Sequence, residues 1–345
     1  MGVSLARTGA LIEESVDEVS AMPGDEARGM TVYVRSMSHG HQSGTTVASA
    51  GPAVLRRERH YGEFFGHDPL PADYGVVIGN CQAESLRLVM DAPHRRFVRT
   101  PPVHEMDAVE AGRLHALVAA ADVVVSQPIR DDYRGLPLGT RQIAAASRVP
   151  VLTVPPVRFG GLHPFQAAIR VSGVEGDPPI VAYHDVRTLA AAAGLPVASA
   201  LPAAAVRGVG EASLDTLRER EQRADVAVSD LYAEVTADHA RTVNHPGNAV
   251  WLPLGARVLD ALGLGGGVTD PGRPLLDAVH APLLPEVVEA WGLPDAPRAG
   301  WLVGGVEVDD AEVRAAHAEW YAAHPAFVAA AVTRLAPLLT VWRAA

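Results

Sequence analysis

The sequence predicts an α/β protein: a three-layer arrangement in which a parallel sheet carries helices on both faces, followed by a helical C-terminal region. Three observations lead there. Short β-branched runs alternate with helical segments at the spacing of βα units, between about residues 74 and 154. Those runs are continuously apolar rather than alternating, as strands buried on both faces are. From about Ser213 the strand signals give way to helical periodicity.

The elements follow in order. Residues 1–48 are acidic and then rich in Gly, Ser and His, and read as an extension of low structural content. Within it, Ser38-His39-Gly40-His41 reads as a solvated loop rather than a metal site. Tyr74–Ile78 is a buried strand, and Cys81–Met90 a helix with Leu86, Val89 and Met90 on one face. Phe97–Thr100 is a second strand. Ala108–Ala121 is a helix with Asp107 as its N-cap. Asp122–Ser126, a helix at Thr140–Ser147 and a strand at Val149–Val154 complete the alternation, which Pro155-Pro156 ends. Further on, helices are expected at Ser213–Val235 and at Ala249–Leu262, the latter kinked at Pro253. Gly263–Gly267 breaks the pattern before amphipathic segments at Asp309–His324 and Ala326–Trp342. The domain organisation is thus 1–48 extension, 49–262 α/β catalytic core and 263–345 helical region packing on the core, able to cover it or to form a homodimer surface.

Composition narrows the function. The 345 residues are 48% hydrophobic, enough for a large core, and 29 Lys+Arg against 40 Asp+Glu give a net charge of −11. Without a basic face, nucleic-acid binding is disfavoured. One cysteine forbids an internal disulfide framework and a thiolate metal cluster, so no metal is expected. No apolar run of about 18 residues and no signal-peptide core are present, which points to a cytoplasmic protein without membrane insertion.

In parallel sheets, ligands sit beyond the carboxyl ends of the strands. Cys81, Gln127 and the loop after Val154 are expected on that edge. Gly79-Asn80-Cys81-Gln82 follows a strand and opens a helix, so a thiol there feels the positive end of the helix dipole, which favours thiolate. Backbone amides of the turn, with Asn80 and Gln82, can donate to an oxyanion. A small buried apolar role is the plain alternative for Cys81. A cysteine nucleophile needs a base, and two of fourteen histidines stand out: His245, in the turn Asn244-His245-Pro246-Gly247, and His184, at a strand end after Ile180-Val181-Ala182. Gln127 can donate to a carbonyl or simply cap its strand. Arg134 and Arg141, with Thr140 between them, can hold a phosphate, or be surface arginines. No dinucleotide fingerprint, P-loop or zincin motif occurs.

Taken together, Ile78-Gly79-Asn80-Cys81-Gln82, Val125-Ser126-Gln127-Pro128 with Tyr133-Arg134, His163-Pro164-Phe165 and Thr242-Val243-Asn244-His245-Pro246 resemble WcbI-type polysaccharide-biosynthesis proteins over roughly residues 74–262. The family is regarded as coenzyme A-binding acetyltransferases of capsule assembly. The resemblance implies an acyl-CoA (acetyl-CoA) donor and a hydroxyl acceptor on a sugar or other small molecule, with Cys81 and His245 in the reaction centre. It also implies an SGNH-hydrolase-like architecture with cysteine in place of serine. The long N-terminal extension, Pro253 and the large C-terminal region depart from the family's pattern and leave the acceptor open: polysaccharide precursor, macrolide or glycopeptide. A cysteine esterase or thioesterase, and a non-catalytic CoA-binding protein, are the alternatives.

Overall fold

The computed structural model describes residues 52–171, 173–174, 176–336, 338–339 and 342. The expected 1–48 extension and its His39/His41 loop lie outside them. The chain divides into two compact units that part between Val151 and Leu152.

In the first unit, helices α1 (Pro52–His60) and α2 (Gly62–Phe65) lead to strand β1 (Gly75–Ile78) and helix α3 (Cys81–Met90). Strand β2 (Phe97–Val98), helix α4 (Ala108–Ala120), strand β3 (Val123–Ser126) and helix α5 (Thr140–Ala146) follow, and strand β4 (Val151–Thr153) begins at the last residue of this unit. The sheet order is β2-β1-β3-β4, with β1 parallel to both neighbours. All four residues of β1 are buried, which is why its sequence is uninterruptedly apolar. Val76, Ile78 and Val124 pack with Leu114, Val118 and Ile143 from the covering helices. Asp107 caps α4 as expected, and does so reciprocally: its carboxylate accepts from Glu110 N–H while Glu110 accepts from Asp107 N–H. The α/β class and the parallel sheet are therefore those read from the sequence.

The second unit is built differently. Strand β5 (Gln166–Ala167) pairs antiparallel with β6 (His184–Asp185), which runs into helix α6 (Val186–Ala192). Helix α7 (Ala203–Glu221) begins directly after Pro202, ten residues before the expected start at Ser213, and stops at Glu221 rather than Val235. The stop has a cause: the Glu221 carboxylate accepts from the backbone N–H of Val228 and Ser229, folding the chain back. Helix α8 (Asn248–Ala261) carries Pro253 inside it.

Beyond Gly263 the region is not all helical. Strands β7 (Val279–His280), β8 (Trp301–Val303) and β9 (Val306–Val308) form an antiparallel sheet, interspersed with helices α9 (Pro285–Trp291), α10 (Asp310–Ala323) and α11 (Pro325–Arg334). Strands of two or three residues are too short to show a period of two. The detectable signal was the pair Gly304-Gly305 between them, both at positive φ (59° and 80°), which is how a two-residue hairpin loop turns. Residues 263–345 and 152–262 belong to one unit. Among the described residues no helix is long and apolar enough to cross a membrane.

Leu114 is fully buried in the first core. Leu114→Ala is expected to cost about 2–5 kcal/mol, read as a lower denaturant midpoint at unchanged m-value.

Candidate active site

The first cluster forms where β1 and β3 end. Their parallel register pairs Ile78 with Ser126, so the two chains leave the sheet side by side, one as Gly79-Asn80-Cys81 and the other as Gln127. Gln127 bridges the gap: its Oε1 accepts from Asn80 N–H at 2.9 Å and its Nε2 donates to Gln82 Oε1 at 3.3 Å. Asn80 is the N-cap of α3, its Oδ1 accepting from Gln82 N–H at 2.9 Å. Cys81, the first helical residue, is half-buried. Gly79 is required by proximity, since a Cβ there would lie 2.4 Å from Gln127 Oε1. Thr140 belongs to the same lattice: its hydroxyl donates to the Gln127 carbonyl at 3.0 Å and accepts from Ile129 N–H at 2.8 Å. The structure thus brings Gly79, Asn80, Cys81, Gln82, Gln127 and Thr140 together.

Arg134 and Arg141 are at the surface of this unit. Arg134, in a left-handed backbone conformation (φ 55°), donates to the His104 carbonyl. Arg141 pairs with Asp131 at 2.5 Å, its side chain 87% exposed. An ion pair that exposed is worth at most about 1 kcal/mol, so a phosphate could displace its carboxylate at little cost. Among the described residues no group of three or more His, Cys, Asp or Glu could hold a metal ion.

The second cluster lies in the other unit. Arg241 N–H donates to the His245 carbonyl and His245 N–H to Thr242 O, closing a tight turn that enters α8. Asn244 and His245 converge on a residue that sequence reasoning passed over, Tyr183. Its hydroxyl donates to Asn244 Oδ1 at 2.9 Å and lies 3.3 Å from both ring nitrogens of His245. It therefore faces the ring edge between them and can accept from whichever carries the proton. Tyr183 also stacks on Trp301. The signal for Tyr183 was its place beside His184 on a short apolar run, where alternation sends neighbours to opposite faces.

His184, the other expected base, lies elsewhere in this unit. Its Nδ1 is 2.7 Å from the Tyr321 hydroxyl and its ring stacks on Phe327 at 4.7 Å. It is 1% exposed.

Burial holds three histidines neutral. Desolvation lowers the pKa of His163, His184 and His245 to about 4 each, with nearby Arg241 adding to the effect at His245 and His317 at His184. The native pKa values lie below the unfolded value near 6.5, so between pH 6.5 and 4 the unfolded chain binds more protons. Stability contributed by these groups is present above pH 6.5 and lost as pH falls towards 4, by up to about 1.4 kcal/mol per pH unit for each histidine. Chemical denaturation at pH 7, 6 and 5 checks this, and a flat profile would contradict it.

Gly79→Ala and Gln127→Ala each remove the Gln127–Asn80 hydrogen bond, at an expected cost of about 1–2 kcal/mol. Since both break the same contact, the double variant should cost little more than either single one, a non-additivity read from three denaturation curves.

Comparison with known proteins adds to this geometry. No curated protein matches the chain. A solved structure of WcbI, described as a novel polysaccharide biosynthesis enzyme in its native form without a disulfide bond between coenzyme A and a cysteine, superposes with a TM-score of 0.66 at 20% identity. The match covers 79% of this chain and 99% of that one, and establishes a shared fold. The family described as polysaccharide biosynthesis enzyme WcbI matches residues 74–267, more than half the chain and a span that includes both clusters. The chain belongs to the WcbI family of polysaccharide-biosynthesis enzymes.

Proposed function

We propose that this protein is a CoA-dependent O-acyltransferase, transferring an acyl group, in the first instance acetyl, to a hydroxyl of a sugar, a polysaccharide precursor or a glycosylated natural product. The observation that carries the reading is Cys81 as the first residue of α3, on the carboxyl edge of a parallel sheet, in a turn fixed by Gln127, Asn80 and Gln82. Ligands of open parallel sheets sit at that edge. The solved WcbI relative, whose description names coenzyme A together with a cysteine, supports coenzyme A as the partner of the single cysteine here. In this reading the sheet and its covering helices are an SGNH-like scaffold with cysteine as nucleophile, working in the cytoplasm.

The chemistry balances simply. Cys81 gives its proton to a base, and its thiolate attacks the thioester carbonyl of acyl-CoA to form a new C–S bond. The C–S bond to CoA breaks, and the CoA thiolate leaves with the proton that the base returns. An acceptor hydroxyl then attacks the acyl-cysteine, losing its proton to a base and regenerating the thiol. His245 is the base of this reading: it is neutral at pH 7, and Tyr183 and the Thr242–His245 turn restrain its ring. Arg134 and Arg141, exposed and lightly held, would meet CoA phosphates.

Calorimetric titration with CoA and acetyl-CoA tests the cofactor. Micromolar binding is expected, and the absence of binding would overturn the reading. Mass spectrometry after incubation with acetyl-CoA should find the acetyl group on Cys81, and Cys81→Ala should lower transfer to a hydroxyl acceptor by at least about 100-fold. Turnover by Cys81→Ala at the wild-type rate would exclude the covalent route.

A further inference from the structure

Cys81 needs a partner to take its proton, because the turn around it offers a thiolate limited help. Two backbone donors there are already engaged, Asn80 N–H by Gln127 Oε1 and Gln82 N–H by Asn80 Oδ1. The loop that follows β2 brings a histidine to the same edge of the sheet. Thr100 Oγ1 donates to the Val77 carbonyl at 3.2 Å, and Val103 N–H donates to the Gly79 carbonyl at 2.9 Å. The loop therefore tracks along the carboxyl end of β1, bonded to the glycine two residues before Cys81. The next residue is His104.

The backbone that carries His104 is held on both sides. Its carbonyl accepts from the Arg134 guanidinium, and Arg134 belongs to the loop after β3. Beyond it, Arg57 of α1 lies 3.9 Å from Glu105 and pairs with Glu110, which shares a capping box with Asp107. Val103 before it and Met106 after it are buried, whereas the His104 side chain is 31% exposed. A fixed backbone under an accessible ring suits a group that meets a ligand. The other described histidines of this unit are placed differently. His60 Nδ1 accepts from Arg99 at 3.5 Å, and His67 pairs with Glu58. His94 sits in the turn that enters β2 from its amino end, and His115 Nε2 donates to the Pro137 carbonyl.

We propose that His104 is a catalytic residue of this site, the base that takes the proton of the Cys81 thiol. The proton passes from Sγ to an imidazole nitrogen, leaving a thiolate beside an imidazolium. The thiolate forms the new C–S bond to the acyl carbon, the C–S bond to CoA breaks, and the imidazolium returns its proton to the departing CoA thiolate. Three sets of charges face the pair. Glu105 Oε1, 3.9 Å from His104 Nε2, favours the charged ring, although Arg57 shares that carboxylate. Arg134 meets only the carbonyl of His104 in the contact described above. On the side of the thiol, Glu84 lies one turn along α3 and is held by Arg87 and Arg99 at 2.7 Å each, which offsets its repulsion of a thiolate. The assignment rests on the acyl-transfer reading for its part in turnover, and divides the proton work: His104 serves the thiol and His245 the acceptor hydroxyl.

The single cysteine makes the test direct. Alkylation of the full-length protein by iodoacetamide, followed by mass spectrometry across about pH 5–10, reads the ionisation of Cys81 with no acyl-CoA present. An imidazolium partner stabilises the thiolate, so His104→Gln is expected to move the inflection of the profile up by at least about one pH unit. Alkylation at pH 7 should slow about tenfold with it. A second measurement leaves His104 in place: nitrogen-15-labelled histidines are titrated in the wild type and in Cys81→Ala. Without the thiolate, the His104 ring should titrate at a lower pH. An unmoved alkylation profile in His104→Gln, or the same His104 titration with and without the thiol, overturns the assignment. So does a profile that moves in His245→Gln and not in His104→Gln. The outcome is separable from the acyl-CoA reading: CoA binding with an unmoved profile sinks the His104 assignment alone, and a moved profile without CoA binding sinks the acyl-CoA reading alone.

Discussion

The pairing of β1 with β3 is the constraint on which the Cys81 cluster depends. Each strand has four residues, and their register is held by side chains that must be buried on both faces. A one-residue slip would send Val76 and Ile78 to the opposite face and move Gln127 one step along the edge. Gln127 would then lose Asn80, and the turn would lose the clamp that fixes the start of α3. The cost of the slip lies in the hydrophobic core, where both faces are filled and each misplaced valine or isoleucine costs about 1–3 kcal/mol of disrupted packing. The hydrogen bonds of the turn are worth less, about 1 kcal/mol each. Apolar packing therefore sets the position of the polar groups, and the polar groups refine the turn locally.

The second unit solves a different problem, because the buried histidines among the described residues all lie in it. Its buried histidines are tied to distant parts of the chain: His163 to Ala240, His184 to Tyr321, His245 to Tyr183. Each imidazole is kept neutral, since charging it would cost more in lost hydration than the neighbouring carbonyls and hydroxyls return. Neutral rings can both donate and accept, so each acts as a directional joint between the elements it links. This makes the unit acid-sensitive in a way the core of the first, which holds no histidine, is not. It also means that His245 is a neutral imidazole at physiological pH, its basicity lowered by burial.

Much of the first unit was legible because its information is local. Helix α3 begins and ends at the residues read from the sequence, and the Asp107 cap is a four-residue pattern. Strand ends were overrun by one or two residues, as at Thr100, where the ladder and the apolar run both stop at Val98. The second unit was less legible because its determinants are remote. Nothing near His184 announces Tyr321 or Phe327, more than 130 residues away, and those rings make it a core histidine in surroundings that look like a strand end. Tyr183 was passed over for the same reason: its importance comes from Asn244 and His245, 61 and 62 residues on. The β7-β8-β9 sheet escaped notice because its strands are shorter than the window in which periodicity can be counted.

The same turn that positions Cys81 also limits what it can do. A helix N-terminus attracts anions because its first N–H groups lack partners. Here two of the nearest donors are engaged within the protein, Asn80 N–H by Gln127 Oε1 and Gln82 N–H by Asn80 Oδ1. An oxyanion could use either one only by displacing a side-chain amide, exchanging one neutral hydrogen bond for a charge-assisted one roughly twice as strong. The gain from that exchange is the difference between the two bonds, smaller than a vacant pair of donors would provide. Gln127 thus locks the turn through Asn80 N–H, and a charge developing there would have to displace it. Because Thr140 and Ser126 both donate to its main-chain carbonyl, its backbone stays fixed while only the amide must move. Such an arrangement lets one donor, Asn80 N–H, become available by turning the Gln127 side chain, while Gln82 N–H stays with Asn80 Oδ1.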